Sequence, residues 1–296
     1  MDFYNTLLAA GFLPREVVPN GKWYRCATVD KPKKKNGAYM LRVDGRRGYF
    51  KDYAVDEEWV EWRDETPVSP IERKRIQKDL AALRRREWEK AARAYQSMAR
   101  YYQSLPRLVD GHPYLTRKGL SMLGADKLRL DGEALVWPLF KDGRLATVQR
   151  IWPDGTKKNY TGCSTREVSL LLMRPGAVLH AYTEGFATGL AIFQNVPNAQ
   201  VEICLDAGNL VAVAKRAKVE GLAVVCGDND WETCARRGFN PGVEKATEAA
   251  ELLGCGMAYP ENIIGTDWAD ALMEWGDDGP RRLRMALTRA ARPVFR

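Results

Sequence analysis

Five acids stand at the ends of apolar runs in the second half of this chain. Glu184 lies in YTEGFATGLAIF (182–193), Asp228 and Asp230 in VVCGDND (224–230), and Asp267 and Asp270 in GTDWAD (265–270). In a parallel α/β sheet the C-terminal ends of the strands share one edge, and ligands bind there. Carboxylates gathered on such an edge repel one another unless a cation sits among them, and hard oxygen ligands select Mg2+ or Mn2+. A cation held by one or two carboxylates keeps water positions open for phosphate oxygens. The pattern therefore predicts a metal-dependent enzyme acting on phosphates, nucleotides in particular.

Positioning those acids requires alternating strands and helices, and the residues supply them. Strands are expected at 178–184, 201–206, 222–228 and 255–259, with helices at 186–195, 208–218, 241–253, 268–275 and 280–291. Asp206 ends another apolar run and reads either as a cleft acid or as the cap of the helix near Asn209. Upstream, residues 1–70 look mainly β, with a short helix in the first dozen residues and a hairpin turn at Asp44-Gly45. Residues 71–104 contain no Gly or Pro and predict one long helix, or two broken ones, entered through Ser69 and Pro70 and stopping before Pro106. Ile76, Leu80, Leu83, Trp88, Ala91, Tyr95, Met98 and Tyr102 form its apolar stripe. Between 108 and 176, ALVWPLF and RLATVQRIW flank a turn at Asp142-Gly143, and Pro153-Asp154-Gly155 leads into TKKNYTG.

Charge is divided sharply. The net charge is +8, yet residues 177–280 carry −10 while 71–107 carry +7, 108–176 carry +4 and 281–296 carry +6. A polyanion-binding surface and an acidic metal pocket would divide in this way. The six cysteines form no C-x-x-C pair and there are only two histidines, so no zinc is expected. His112 reads as a turn-stabilising residue before Pro113. No run is apolar enough to cross a bilayer, and the N-terminus lacks the positive charge of an export signal, so no membrane contact and a cytoplasmic location are expected.

Taken in order, YTEGFATGLAIF, VVCGDND and GTDWADAL resemble the TOPRIM domain of bacterial DnaG-type primases, and EGFATG is most like plasmid- and phage-encoded members. Upstream, YLTRKGL (114–120) resembles the start of the primase catalytic core, and ALVWPLFKDGRLATVQRIWPDGTKKNYTG (134–162) resembles the basic subdomain preceding the TOPRIM domain. The resemblance implies an α/β fold: a Rossmann-like, largely parallel TOPRIM domain at 177–280, preceded by a basic α+β subdomain at 108–176. A basic helical linker at 67–107, a small β-rich domain without a zinc motif at 1–66 and a basic helix or tail at 281–296 complete the expected organisation.

It also implies roles. Glu184, Asp228 and Asp230 would be catalytic and would hold Mg2+ or Mn2+, with Asp267 and Asp270 supporting a further metal. Lys157, Lys158, Asn159 and Tyr160 would handle template or nucleotide beside the acids, with Arg150 on the preceding strand as a companion. The basic loop Lys33, Lys34, Lys35 and the helix arginines Arg84 and Arg85 are candidate contacts to nucleic acid.

The implied activity is synthesis of short primers de novo from nucleoside triphosphates on a single-stranded DNA template. The 296 residues hold no G-x-x-x-x-G-K-[ST], so a separate replicative helicase is the expected partner. Alternative readings are a TOPRIM nuclease or a non-catalytic DNA-binding replication accessory. Two departures bear on them: Thr188 stands where cellular primases carry an aspartate four residues after the glutamate, and their zinc ribbon is missing.

Overall fold

Period-two alternation organises the N-terminal strands, and one helix covers their apolar face. The computed structural model describes residues 1–67 and 69–295, and the chain divides into two units, Met1–Glu89 and Lys90–Arg296. In the first, α1 (Phe3–Ala9) is capped by the Asp2 carboxylate, which accepts from the Asn5 N–H. An antiparallel sheet follows in the order β1 (Phe12–Leu13), β2 (Tyr24–Thr28), β3 (Gly37–Leu41), β4 (Arg47–Asp52) and β5 (Val60–Arg63). Cys26, Tyr39, Leu41 and Phe50 alternate onto the face that meets Phe3 and Leu7 of α1. The Asp44-Gly45 turn joins β3 to β4, with Gly45 at φ +67°.

One uninterrupted helix, α2 (Pro70–Ser104), spans the Gly- and Pro-free stretch, with Pro70 as its first residue. The expected apolar stripe is buried only in part. Trp88 remains 71% exposed, whereas Met98 is fully buried against Val136 and Val148, with Tyr101 and Tyr102 beside it. The expected segments 67–107 and 281–296 each contain one residue, Val68 and Arg296, that lies outside the described residues.

In the second unit α3 (Pro113–Arg117) begins at His112, whose Nδ1 accepts from the Tyr114 N–H and whose Nε2 faces the Glu133 carbonyl at 2.9 Å. The antiparallel sheet β6 (Arg129–Asp131), β7 (Ala134–Lys141), β8 (Arg144–Ile151), β9 (Lys157–Asn159) comes next. After it, β10 (Leu170–Leu172) crosses into the second sheet. There β11 (Leu179–Thr183), α4 (Phe186–Asn195), β12 (Ala199–Ile203), α5 (Ala207–Arg216) and β13 (Glu220–Cys226) alternate as expected. Next come α6 (Trp231–Arg237), α7 (Pro241–Leu253), β14 (Gly256–Ala258), α8 (Trp268–Trp275), α9 (Gly279–Ala290) and β15 (Arg292–Phe295).

The strands β12, β11, β13 and β14 are parallel neighbours. Two antiparallel strands flank this core: β10 pairs with β12, and β15 pairs with the start of β13. The sheet therefore recruits residues from both segments that the sequence set outside it, 108–176 and 281–296. Side chains of β13 alternate between two cores. Val224 and Cys226 join α4, α8 and α9 on one face, while Ala223 and Val225 join α5 and α7 on the other. The first core extends to Leu135, Trp137, Leu139 and Ile151 of β7 and β8, so α4 is shared by both sheets. Trp137 meets Phe186 with ring centroids 5.1 Å apart.

Candidate active site

The acid edge is built by the register of two adjacent strands. Thr183 of β11 pairs with Cys226 of β13, so Glu184 and Asp228 emerge one and two residues beyond neighbouring strand ends. Glu184 is followed by Gly185, which opens α4 without a side-chain cap. A Cβ built on Gly185 would lie 3.6 Å from Asp228 Oδ2, which sets the Asp228 carboxylate against the Glu184-Gly185 backbone. Four residues on, Gly189 lets α4 lie directly on β12: a Cβ there would come within 2.3 Å of Ile203.

Glu184 and Asp228 face this edge, and burial works against the charge of both. Desolvation, then the charges of Asp230 and Asp206, push Glu184 up to about 7. Desolvation, then Glu184 and Asp267, push Asp228 well above the usual carboxylate range. The Ala207 N–H at the start of α5 and the Lys157 ammonium oppose the shift of Glu184. The Thr188 hydroxyl and Lys157 oppose that of Asp228. Thr188 is itself buried; its Oγ1 donates to Asp228 Oδ1 at 2.7 Å and accepts from the Trp268 N–H at 3.4 Å. The residue standing in place of an aspartate thus orients Asp228 and ties α4 to α8.

Asp230 turns toward the next helix. Its Oδ2 accepts from the Gly242 N–H at 3.0 Å, and its own N–H donates to Asn240 Oδ1 at 3.1 Å. Asn240 caps α7 and donates to Asn229 Oδ1 at 2.9 Å, which locks the 228–230 loop onto the helix start. A Cβ on Gly242 would come within 2.4 Å of the Asp228 carbonyl oxygen, which is backbone and cannot swing aside. Gly242→Ala is therefore expected to cost about 2 kcal/mol and to displace Asp228. A urea titration and an activity assay on the same preparation check both effects.

Asp267 and Asp270 have a different environment. Asp267 caps α8, with Oδ1 accepting from the Asp270 N–H at 2.9 Å. Lys118, at the C-terminal end of α3, donates from Nζ to Asp267 Oδ2 at 2.7 Å and to Asp270 Oδ1 at 2.6 Å. All three side chains are largely buried. An internal ammonium thus satisfies the acid pair for which the resemblance implied a further metal. Lys118 was missed as a site residue although it stands in YLTRKGL; its local sequence signals only a helix end.

Strand alternation divides the basic residues. Cross-strand pairing of Gln149 with Asn159 and Ile151 with Lys157 places Lys157 and Asn159 on the face of β9 that continues the Trp137 and Ile151 core. Trp137 Nε1 donates to Gln149 Oε1 at 3.1 Å, and Gln149 Nε2 donates to Asn159 Oδ1 at 2.9 Å. The Asn159 amide oxygen is thereby engaged as an acceptor. Arg150 pairs with Lys158 on the opposite face, with Val136 and Val148. There Arg150 approaches Asp131 at 3.7 Å, and both cations lie over the Trp152 ring, at 5.4 and 5.5 Å. The Lys157 charge acts on Glu184 and Asp228, whereas Arg150 and Lys158 lie on the other face of this sheet.

Asp206 caps α5, accepting from the Asn209 N–H at 2.8 Å, while its charge still acts on Glu184. In the N-terminal unit Lys33, Lys34 and Lys35 line a cavity of about 420 Å³ with Tyr24, Arg25 and Tyr39. On the sheet face turned from α1, Trp23, Tyr53 and Trp59 are exposed, with Trp23 and Trp59 4.4 Å apart and Arg25 4.4 Å over Tyr53. The sequence reading placed the lysines beside exposed aromatics on the small β unit without naming these three rings. Arg84 and Arg85 are exposed on α2, and Arg85 pairs with Glu89 at 2.9 Å.

Among the described residues no three His, Cys, Asp or Glu side chains form a ready cation cage. The donor set nevertheless suits a hard cation. Glu184 and Asp228 are desolvated and raise one another's repulsion, without a carboxylate-bound cation such as the one Lys118 supplies to Asp267 and Asp270. Two oxygen ligands with open water positions are what Mg2+ takes.

Residues 181–278 match the family model described as the Toprim domain. Two Escherichia coli proteins, each named DNA primase TraC, are similar to it. One is 30% identical over 262 residues, covering 82% of this chain and 24% of the relative; the other is 33% identical over 159 residues, covering 50% and 11%. The chain thus spans about a quarter or less of the length of the curated relatives it matches. Among solved structures, the DnaG primase catalytic domain bound to ssDNA aligns with a TM-score of 0.41 at 13% identity, covering 70% of this chain and 83% of that one. The primase fragment of the bacteriophage T7 primase-helicase protein aligns at 0.40 and 12%, covering 93% and 99%. Among the described residues no helix is long and apolar enough to cross a membrane.

Proposed function

We propose that the chain is the catalytic part of a DNA primase, making short primers de novo from nucleoside triphosphates on single-stranded DNA. The observation that carries this reading is the pair of desolvated, mutually repelling acids Glu184 and Asp228 at adjacent parallel strand ends, with Lys157 acting on both. The similarity to two proteins named DNA primase supports it.

Glu184 and Asp228 would hold Mg2+ or Mn2+, with the second oxygen of Asp230 within the same acid group. When bound, the ion neutralises charge developing on the transferred nucleotidyl group and lowers the pKa of the attacking hydroxyl. The remaining work falls to the chain's own side chains. Thr188 fixes the Asp228 rotamer through its 2.7 Å hydrogen bond. Lys157 binds phosphate oxygens as a point charge. Asn159, held through Gln149, presents its amide N–H to the substrate. Lys118 neutralises Asp267 and Asp270, so that α8 keeps its start beside Thr188.

Template contacts are proposed for Lys33, Lys34, Lys35 and the neighbouring aromatics, whose flat faces suit unstacked bases. Arg84, Arg85, Arg150 and Lys158 are further proposed contacts to nucleic acid. A replicative helicase on a separate polypeptide is the proposed partner at a fork.

The test incubates the protein with single-stranded DNA, labelled ribonucleotides and Mg2+ or Mn2+. Oligomers that disappear in Glu184→Ala and Asp228→Ala support the primase; DNA scission, or binding without product, contradicts it. The two faces of β9 give a sharper expectation. Lys157→Ala should raise the KM for nucleotides about tenfold, the loss of one charge-assisted contact. Lys158→Ala should leave that KM unchanged and weaken template binding instead. Steady-state kinetics varying nucleotide and template separately distinguish the two.

A further inference from the structure

A second basic and aromatic surface lies beside the acid edge, where no role has been assigned. The segment after β14 and the exposed side of α9 enclose a groove of about 730 Å³. Trp268 and Trp275 line it from α8, Tyr259 from the loop after β14, and Arg281, Arg282 and Arg289 from α9. Residues 281–296 contain six arginines and no acid. Arg282 sits 5.0 Å over the Trp275 ring, Arg281 pairs with Asp278 at 2.7 Å, and Arg292 donates to backbone carbonyls at the end of α9. Arg289 is exposed. Glu261 is the acid in the lining.

Trp268 forms the buried wall of the groove. It is 0% exposed, packs edge-on to Trp275 with centroids 6.2 Å apart, and its Nε1 has no hydrogen-bond partner among the described residues. Guanidinium groups interleaved with aromatic rings match one chemistry: phosphates for the cations and bases for the ring faces. An acidic peptide would engage the arginines and leave the rings without a partner.

The groove also connects to the chemistry. Trp268 directly follows Asp267, and the loop from Tyr259 onward is anchored by Asn229 Nδ2 donating to the Pro260 carbonyl at 2.9 Å. A strand lying along the groove therefore ends near the Asp228 loop. We propose that this groove between α9 and the segment following β14 binds a single-stranded polynucleotide and guides it to or from the acid edge. The guiding role rests on the primase reading; the binding does not.

The test uses the full chain and two fluorescein-labelled oligonucleotides, dT12 and rU12, with anisotropy read over a salt series. The comparison is wild type, the double variant R282A/R289A and Glu184→Gln, each checked for a single cooperative melting transition. R282A/R289A should weaken binding about tenfold and reduce the salt slope by about 1–2. A loss confined to rU12 identifies the product strand as occupant; a loss confined to dT12 identifies the template. In a second measurement, oligonucleotides carrying 5-iododeoxyuridine should crosslink to Trp275 or Tyr259 in peptide mapping.

Unchanged affinity in R282A/R289A, no binding by the wild type, or crosslinks confined to other surfaces would each overturn the proposal. If the wild type makes no primers while R282A/R289A still loses binding, the groove stands and the catalytic reading fails. If Glu184→Gln loses synthesis and R282A/R289A binds as wild type does, the groove alone fails.

Discussion

Glu184→Gln and Asp228→Asn are each expected to abolish primer synthesis, by at least about 1000-fold, while raising the stability of the metal-free protein. Both amides keep the shape of the carboxylates. They remove charges that burial and mutual repulsion disfavour. A site kept strained for its chemistry gains stability when it is disarmed. The pH dependence follows from the same shift. Glu184 has its pKa raised to about 7 in the folded protein, against about 4.3 for an unperturbed glutamate. The folded state thus holds a proton there that the unfolded state has released. That contribution to stability is fully present below about 4.3 and is lost as pH rises through about 7. The stability gap between Glu184→Gln and wild type should therefore widen between pH 5 and 8. Urea titrations at several pH values in chelator measure it, and a gap that is flat or narrows with pH would contradict the uncompensated acid pair.

The other large effect is expected at Lys118. Removing the ammonium leaves Asp267 and Asp270 largely buried and without their cation, at a cost of about 3 kcal/mol. Lys118→Met should therefore lower the urea midpoint strongly. Adding Asp267→Asn and Asp270→Asn should recover much of the loss, since the neutral trio no longer strands a charge. Because Asp267 starts α8 and the Trp268 N–H meets Thr188, Lys118→Met should also reduce activity through the placement of Asp228. A thermodynamic cycle across the single and combined variants reads the coupling. Near-additive changes would mean that the ammonium and the two acids do not act as a unit.

Much of the sheet and its acid edge was legible because it rests on strong local signals. Apolar runs ending in EG and GDND mark β11 and β13, and capped amphipathic runs mark α7 and α8. What remained hidden depends on contacts distant in sequence. β10 has only three residues, too short for a period, and joins the sheet by pairing with β12. β15 follows an arginine-rich helix that gives no strand signal. Lys118 acquires its meaning only when α3 meets α8, 149 and 152 residues away along the chain.

Two other outcomes were within reach of the residues themselves. Lys157 and Lys158 are adjacent on one strand and must face opposite sides. In GTDWAD an acid three residues before another, at the start of a helix, is a capping arrangement as well as a ligand pair. Fold class could be read from alternation, whereas the division of labour among the charges needed the packed structure.

Diffraction from a crystal soaked in Mn2+, collected at the manganese absorption edge, tests the central claim most directly. The expected result is one anomalous peak between the Glu184 and Asp228 carboxylates, with Lys118 still paired to Asp267 and Asp270. A peak between Asp267 and Asp270 with Lys118 displaced, or no peak on that strand edge, would contradict it.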